Sequence, residues 1–262
     1  MQKRAFGNTS MWVSPIGLGT VKIGRNQQVK YPQAFEIPDD DAVRKLLNTA
    51  LELGINLIDT APAYGHSEER LGKLLPGVRS DWHIVTKVGE EFINNQSRFD
   101  FSEKHIRFSI ERSLKLLKTN YLDTVLVHSN GDDLDIINRF GALDILADIK
   151  AKGLIRSYGM STKTIEGGLL ALEKSDVVMA TYNLQNTHEK PVFEKAAELG
   201  KAILVKKAFA SGHSHTPESA LKTFQQIFTM SAVSSVVVGT CNPKHLLENV
   251  QKMQIALRSQ KS

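Results

Sequence analysis

From end to end the chain repeats one arrangement: a short apolar, β-branched run, a polar turn, then a longer segment whose apolar positions recur with helical period. The apolar runs fall at 13–19, 56–60, 83–88, 122–129, 155–161, 177–182, 202–208 and 235–240. Several, such as DTVLVH and SSVVVG, are continuously apolar instead of alternating, as strands covered on both faces of a parallel sheet are. The helical segments lie at 40–53, 67–75, 103–117, 140–152, 164–173, 192–198, 218–230 and 243–257. Asp39 and Asp40, Ser67 with Glu68 and Glu69, Thr216-Pro217 and Asn242-Pro243 mark helix starts. Gly54, Gly153 and Gly200 mark stops. Eight strands alternating with eight helices in 262 residues predict an α/β fold, a (β/α)8 TIM barrel forming a single domain over 1–262. An open doubly wound sheet would more usually stop at about five or six strands. Residues 25–38 carry no strong period and are expected to form a long loop over the barrel mouth.

A barrel of this kind places its chemistry at the C-terminal strand ends. Those positions hold Asp59 and, five residues on, Tyr64, then Lys87 at the end of the third run and His128 at the end of the fourth. A lysine at the inner edge of a barrel needs a partner, and Asp59 one strand away supplies it. A nearby ammonium is expected to lower the tyrosine pKa from about 10 and fit Tyr64 for general acid catalysis. His128 would polarise a substrate oxygen, and no metal is needed. Taken singly, each residue reads more readily as a rim tyrosine, a satisfied ion pair or a structural histidine. Four of them at one face of consecutive strands favour a functional site. His213 and His215 are the nearest approach to a metal pair and have no third ligand in view.

Composition narrows the classes. Apolar residues make up 41% and charged residues 23%, which excludes a disordered or low-complexity chain. The single cysteine, Cys241, excludes an internal disulfide or a thiolate metal cluster and fits a reducing compartment. The net charge of +5 comes from basic residues scattered singly or in pairs, without the one-sided stripe and interleaved aromatics of a nucleic-acid surface. No run approaches the ~18 apolar residues that span a bilayer, and MQKRAFGNTSMWVSPIG has no apolar leader core. The expectation is a soluble, cytoplasmic protein binding neither nucleic acid nor membrane.

The stretch GINLIDTAPAYGHSEERLG, residues 54–72, resembles the signature of the aldo-keto reductase superfamily. VTKVG around Lys87, DTVLVHS through His128, KRAFGNTSMWVSPIGLGT near the start and GTCNPKHLLENV near the end extend the resemblance over essentially the whole chain. It implies a tetrad of Tyr64 as general acid/base, Lys87 and Asp59 as its electrostatic supports, and His128 as orienting group. It also implies a nicotinamide cofactor, normally NADPH, with NADH possible, lying extended across the barrel mouth. GLGTVKIG and GHSEERLGK match neither the G-x-G-x-x-G nor the P-loop pattern.

By the same resemblance Gly19, Thr20, Val21 and Asp59 border the nicotinamide and Ser161 bonds its carboxamide. Thr240, Asn242, Glu248 and Asn249 grip the adenosine end, where the helix opening at Pro243 favours a phosphate. Thr162, Met179 and Lys206 stand where Asn, Gln and an aromatic are usual. Gly239 and His245 replace the Lys and Arg that often hold a 2′-phosphate, with Lys244 nearby as a partial substitute. The implied activity is reduction of a small-molecule aldehyde or ketone to its alcohol, or the reverse. The alternative is a nicotinamide-binding, redox-sensing regulatory protein with little turnover. Tyr31, Phe92 and Phe99 are candidate apolar walls. With only LRSQKS or so after the last helix, a comparatively open site is expected.

Overall fold

The computed structural model describes residues 1–31, 34–210 and 217–260. Its centre is a closed barrel of eight parallel strands, here β1 (Ile16–Gly19), β2 (Leu57–Asp59), β3 (His83–Val88), β4 (Leu122–His128), β5 (Ile155–Ser161), β6 (Val177–Thr181), β7 (Ala202–Lys206) and β8 (Val233–Gly239). The order around the barrel is the order in the chain, and β8 closes on β1 with Gly239 opposite Gly19. The helices that follow them are α1 (Asp40–Glu52), α2 (Ser67–Leu74), α3 (Glu103–Leu116), α4 (Ala142–Ala151), α5 (Ile165–Lys174), α6 (Lys190–Leu199), α7 (Pro217–Phe228) and α8 (Pro243–Arg258).

The caps follow side-chain chemistry. Asp39 accepts from the Ala42 amide at 2.8 Å, Thr164 from Gly167 at 3.1 Å and Asn242 from Lys244 at 2.9 Å. Ser67 departs from the expected cap: it lies inside α2, where its hydroxyl donates to Thr20 Oγ1 at 2.7 Å and ties the helix to the loop after β1. Thr216, His213 and His215 lie outside the described residues.

The period-2 geometry of strands sorts the barrel interior into layers. Leu57, Val85, Leu126, Val177, Met179, Ala202 and Leu204 form one buried cluster, closed at the N-terminal end by Phe6 and Val13. Those two belong to a small hairpin, Arg4–Ala5 against Trp12–Val13, so the expected first run at 13–19 divides at Pro15. A separate and larger cluster lies between the strands and the surrounding helices. Two steps along β3 from His83 come Val85 and Lys87, and along β4 Thr124, Leu126 and His128. The same alternation that buries the aliphatic layer therefore lifts Lys87 and His128 to the C-terminal mouth.

His83 shows what the interior tolerates. It is buried beneath Phe6, its Nε2 is 2.7 Å from Thr124 Oγ1, and burial lowers its pKa to about 4. The unfolded chain takes up a proton near pH 6.5 while the native state does not until about 4, so this contribution is present above 6.5 and lost as pH falls to 4. The expected loss is on the order of 3 kcal/mol. Urea unfolding of the wild type and His83→Gln at several pH values checks it: the variant should show a shallower fall across that window.

Several short elements were not legible in the periodicity, the Arg4–Ala5/Trp12–Val13 hairpin and a four-residue helix, Val21–Gly24, among them. A short helix, Asp133–Asn138, precedes α4, and a hairpin of Glu90–Ile93 against Gln96–Phe99 rises directly from β3.

Candidate active site

The C-terminal mouth holds a cavity of about 780 Å³ lined by Asp59, Tyr64, Lys87 and His128 together. Asp59 ends β2 and Lys87 lies near the end of β3. The Lys87 ammonium donates to Asp59 Oδ1 at 2.6 Å and to the Thr60 carbonyl at 2.9 Å. Both side chains are buried, so neither charge is stable there without the other. Tyr64 follows on a 3-10 turn, Pro62–Tyr64, and its hydroxyl donates to Asp59 Oδ2 at 3.5 Å. That turn is held by a close backbone crossing. Gly65, at φ +61°, lies against the Gly24 carbonyl, where a Cβ would collide. The Tyr64 and His128 rings meet edge to face with centroids 6.2 Å apart.

The electrostatics correct one sequence expectation. The tyrosine is not lowered: burial first, then the charges of Asp59 and Glu90, push the Tyr64 phenol well above its ordinary value. The reason is geometric. Lys87 sits over the ring, 4.7 Å from its centroid, and its charge is already taken by Asp59, while the carboxylate is what faces the hydroxyl. Tyr64 is therefore a neutral phenol with a proton to give. Burial likewise lowers His128, against an opposing pull from Glu90.

The remaining candidates divide. Gly19, Thr20, Val21, Ser161, Met179, Lys206, Thr240, His245 and Asn249 line the same cavity. Thr162, Asn242 and Glu248 do not: Thr162 is fully buried with its hydroxyl unpartnered, Asn242 caps α8, and Glu248 is exposed. Lys206 fills space beside Ser161, donating to its hydroxyl at 2.9 Å and to the Thr162 carbonyl at 2.6 Å. Burial drops its pKa to about 7. Tyr31 and Phe99 line the cavity, whereas the Phe92 ring is covered by the Arg25 guanidinium at 3.5 Å.

Several residues escaped the sequence reading, Lys22, Lys30, Lys163 and Lys207 of the cavity lining among them. Glu90 and Arg25 border the mouth, and Asp133 accepts from the Lys163 and Thr164 amides, both at 2.8 Å, and contacts Ser129, fixing the chain after β5. For Glu90 a signal existed: Asn94-Asn95 is a turn dipeptide that tolerates positive φ, and both residues adopt it.

A second cleft of about 750 Å³ opens at the N-terminal face. Two of its cations are paired with its carboxylates, Lys150 with Asp176 at 2.7 Å and Arg156 with Asp123 at 3.2 Å, Lys201 donates to the Ser175 carbonyl at 2.7 Å, and none of the four candidate catalytic groups reaches it. Among the described residues no group of three His, Cys, Asp or Glu side chains could hold a metal, and no helix is long and apolar enough to cross a membrane.

The sequence profile of the aldo/keto reductase family matches residues 15–223, which includes the first seven barrel strands. The chain belongs to this family. Among solved structures it resembles a Pseudomonas aeruginosa protein assigned to the aldo-keto reductases, at 51% identity and a TM-score of 0.90, over 97% of this chain and 96% of that one. The holo form of the aldo-keto reductase AKR11C1 from Bacillus halodurans matches at 25% identity and a TM-score of 0.82, covering 97% and 91%. L-galactose dehydrogenase of Arabidopsis thaliana is 36% identical over 174 residues, 62% of this chain, and the match spans about half (48%) of that relative. An oxidoreductase on a TIM barrel is the reading that fold and family share.

Proposed function

We propose that this aldo-keto reductase interconverts an aldehyde or ketone with its alcohol, using a nicotinamide cofactor at the barrel mouth and Tyr64 as the general acid/base. One observation carries the reading: Asp59, Tyr64, Lys87 and His128 converge on a single cavity. The lining also fits an anionic dinucleotide, because among the described residues Lys22, Arg25, Lys30, Lys87, Lys163, Lys206 and Lys207 border that cavity against two carboxylates, Asp59 and Glu90. A further point of fit is the pairing of Gly19 with Gly239, two residues that add no side chain of their own to that wall, with the Tyr31 hydroxyl against Gly239.

When bound, the reduced nicotinamide supplies the hydride. The residues of this chain supply the rest. Tyr64 keeps its proton and delivers it to the substrate oxygen as negative charge develops there. Asp59 and Lys87 fix that hydroxyl from behind, the carboxylate accepting from it and the ammonium holding the carboxylate. The ring of His128 orients the substrate oxygen from the other side. Ser161, Thr240 and Asn249 are the polar groups placed to hold the cofactor. NADPH is the favoured form; with Gly239 and His245 at the 2′-phosphate end, NADH is expected to be accepted as well.

Titration with NADPH and NADH, followed by the reduced-nicotinamide absorbance with a panel of aldehydes, ketones, sugars and polyols, tests this. Binding with repeated turnover of at least one substrate class is the expected outcome. Tight binding with a single slow oxidation per chain would replace the enzyme by a redox sensor, and failure to bind either nucleotide would remove both.

A further inference from the structure

Lys206 is a cation of the mouth with no counter-ion in contact. It ends β7, and its side chain reaches over β6, where Thr181 pairs with Lys206 and Met179 with Ser161, to set its amine on β5. Both acceptors there, the Ser161 hydroxyl at 2.9 Å and the Thr162 carbonyl at 2.6 Å, are uncharged, and they use two of the three N–H bonds of an ammonium. The carboxylates nearby are engaged elsewhere. Asp59 is paired with Lys87, and Glu90 lies 2.7 Å from His128 Nδ1, carried there by a hairpin whose Glu91 accepts from Arg112 on α3 at 2.6 Å. Asp133 takes the Lys163 and Thr164 amides, and Glu189 takes that of Thr181 at 3.1 Å. Burial opposes the Lys206 charge first, Glu189 and Asp133 favour it, and Lys207 and Lys163 oppose it. Among the described residues no carboxylate forms an ion pair with this amine.

The amine stands at the reacting end of the cavity. Ser161 is the register partner of His128 across β5 and β4, so the Lys206 ammonium is one strand away from the ring that orients the substrate oxygen. Thr240, just past β8, and Asn249, on α8, lie across the barrel from β4. A cofactor held at those two residues that delivers hydride beside Tyr64 and His128 has to cross the mouth, which brings its nicotinamide to the end that Lys206 occupies. The two redox forms differ there by one unit of charge: the oxidised ring is a cation and the reduced ring is neutral. A positive charge in a partly desolvated cavity therefore acts on one form and not on the other.

We propose that Lys206 is a specificity-determining residue that makes the site select the reduced cofactor, by setting an unpaired positive charge near the cationic ring of the oxidised form. The inference rests on the nicotinamide reading above. From a mixed pool of the two forms the site is loaded with the reduced one. After hydride transfer the ring and Lys206 repel each other, and the oxidised form is held less tightly.

Fluorescence titration of the full-length protein with NADPH, and displacement of the bound NADPH by NADP+, give the two Kd values without turnover. At pH 6, below the Lys206 pKa of about 7, the amine is protonated. There NADP+ should bind the wild type at least tenfold more weakly than NADPH. Lys206→Met should reduce that ratio about tenfold, the order expected when one of two unit charges sharing such a cavity is removed. Since the two nucleotides differ only at the ring, contacts common to both cancel in the ratio. Lys206→Gln, whose amide can still donate to Ser161, should behave as Lys206→Met does, and Lys206→Arg, which keeps the charge, should keep the wild-type ratio. An equal ratio in the wild type and Lys206→Met, or a wild-type ratio in Lys206→Gln, overturns the assignment while leaving the nicotinamide site in place. Failure of the wild type to bind either nucleotide removes that site and this inference with it.

Discussion

Replacing Tyr64 by phenylalanine is expected to lower kcat by about a thousandfold, within the range that a positioned general acid contributes. The substitution removes one oxygen and little else. The ring keeps its edge-to-face contact with His128 and its place beneath Lys87, and Asp59 retains the stronger of its two partners, the ammonium at 2.6 Å. Cofactor affinity and thermal stability should therefore remain near wild type, since the lost hydroxyl interaction with Asp59 is a long one at 3.5 Å. Steady-state rates combined with a cofactor titration on the same preparation separate the effects. Turnover within about tenfold of wild type, on that scale, would take the proton-donor role away from Tyr64.

Lys87→Met has a different signature, because it strikes stability and turnover together. Lys87 is 1% exposed and bonded to Asp59 and the Thr60 carbonyl. Removing the ammonium leaves the Asp59 carboxylate buried without a counter-charge, a loss of about 3–5 kcal/mol. For a chain of this length that corresponds to a fall in Tm on the order of 10 °C. Neutralising both, as in Asp59→Asn with Lys87→Met, should recover most of the stability while turnover stays lost. A double-mutant cycle in chemical denaturant checks the coupling. If the double variant is no more stable than Lys87→Met, the cost comes from lost packing of the lysine stem and not from the stranded charge.

The two variants bear on the same carboxylate from opposite sides. Asp59 accepts from Lys87 on one oxygen and faces the Tyr64 hydroxyl with the other. Burial raises the phenol first, and that division adds to it although the ammonium is close, because the tyrosine hydroxyl meets the negative end of the pair. A titration argument made from neighbouring strands alone reverses the sign, because strand order fixes that three groups are close and not which atom of each is closest.

The hairpin at the mouth was hidden for a related reason. Residues 90–99 mix charged and apolar side chains, and the strand that follows Gly89 is only partly buried, so it lacks the apolar run that identified the barrel strands. Its register is decided by the Asn94-Asn95 turn and by anchors on α3 and in the loop after β1, which are distant in sequence. Glu90 could be placed at a strand end from the chain alone, three residues beyond Lys87. That it meets Nδ1 of His128 could not.

What the amino-acid sequence determined by itself is everything that depends on local period and on strand order. Eight β–α units close into a barrel because several strands are apolar on both faces and the helices between them on one. Consecutive strands then bring Asp59, Lys87 and His128 to one rim, since side chains two apart on a strand share a face. The tertiary structure alone decided which atoms meet. Asp59 divides its oxygens between an ammonium and a phenol, Lys206 is spent on Ser161, and Glu90 is carried over the mouth to His128. Those outcomes depend on distances of a few ångströms between segments tens of residues apart, and burial together with such distances sets each proton equilibrium at the mouth.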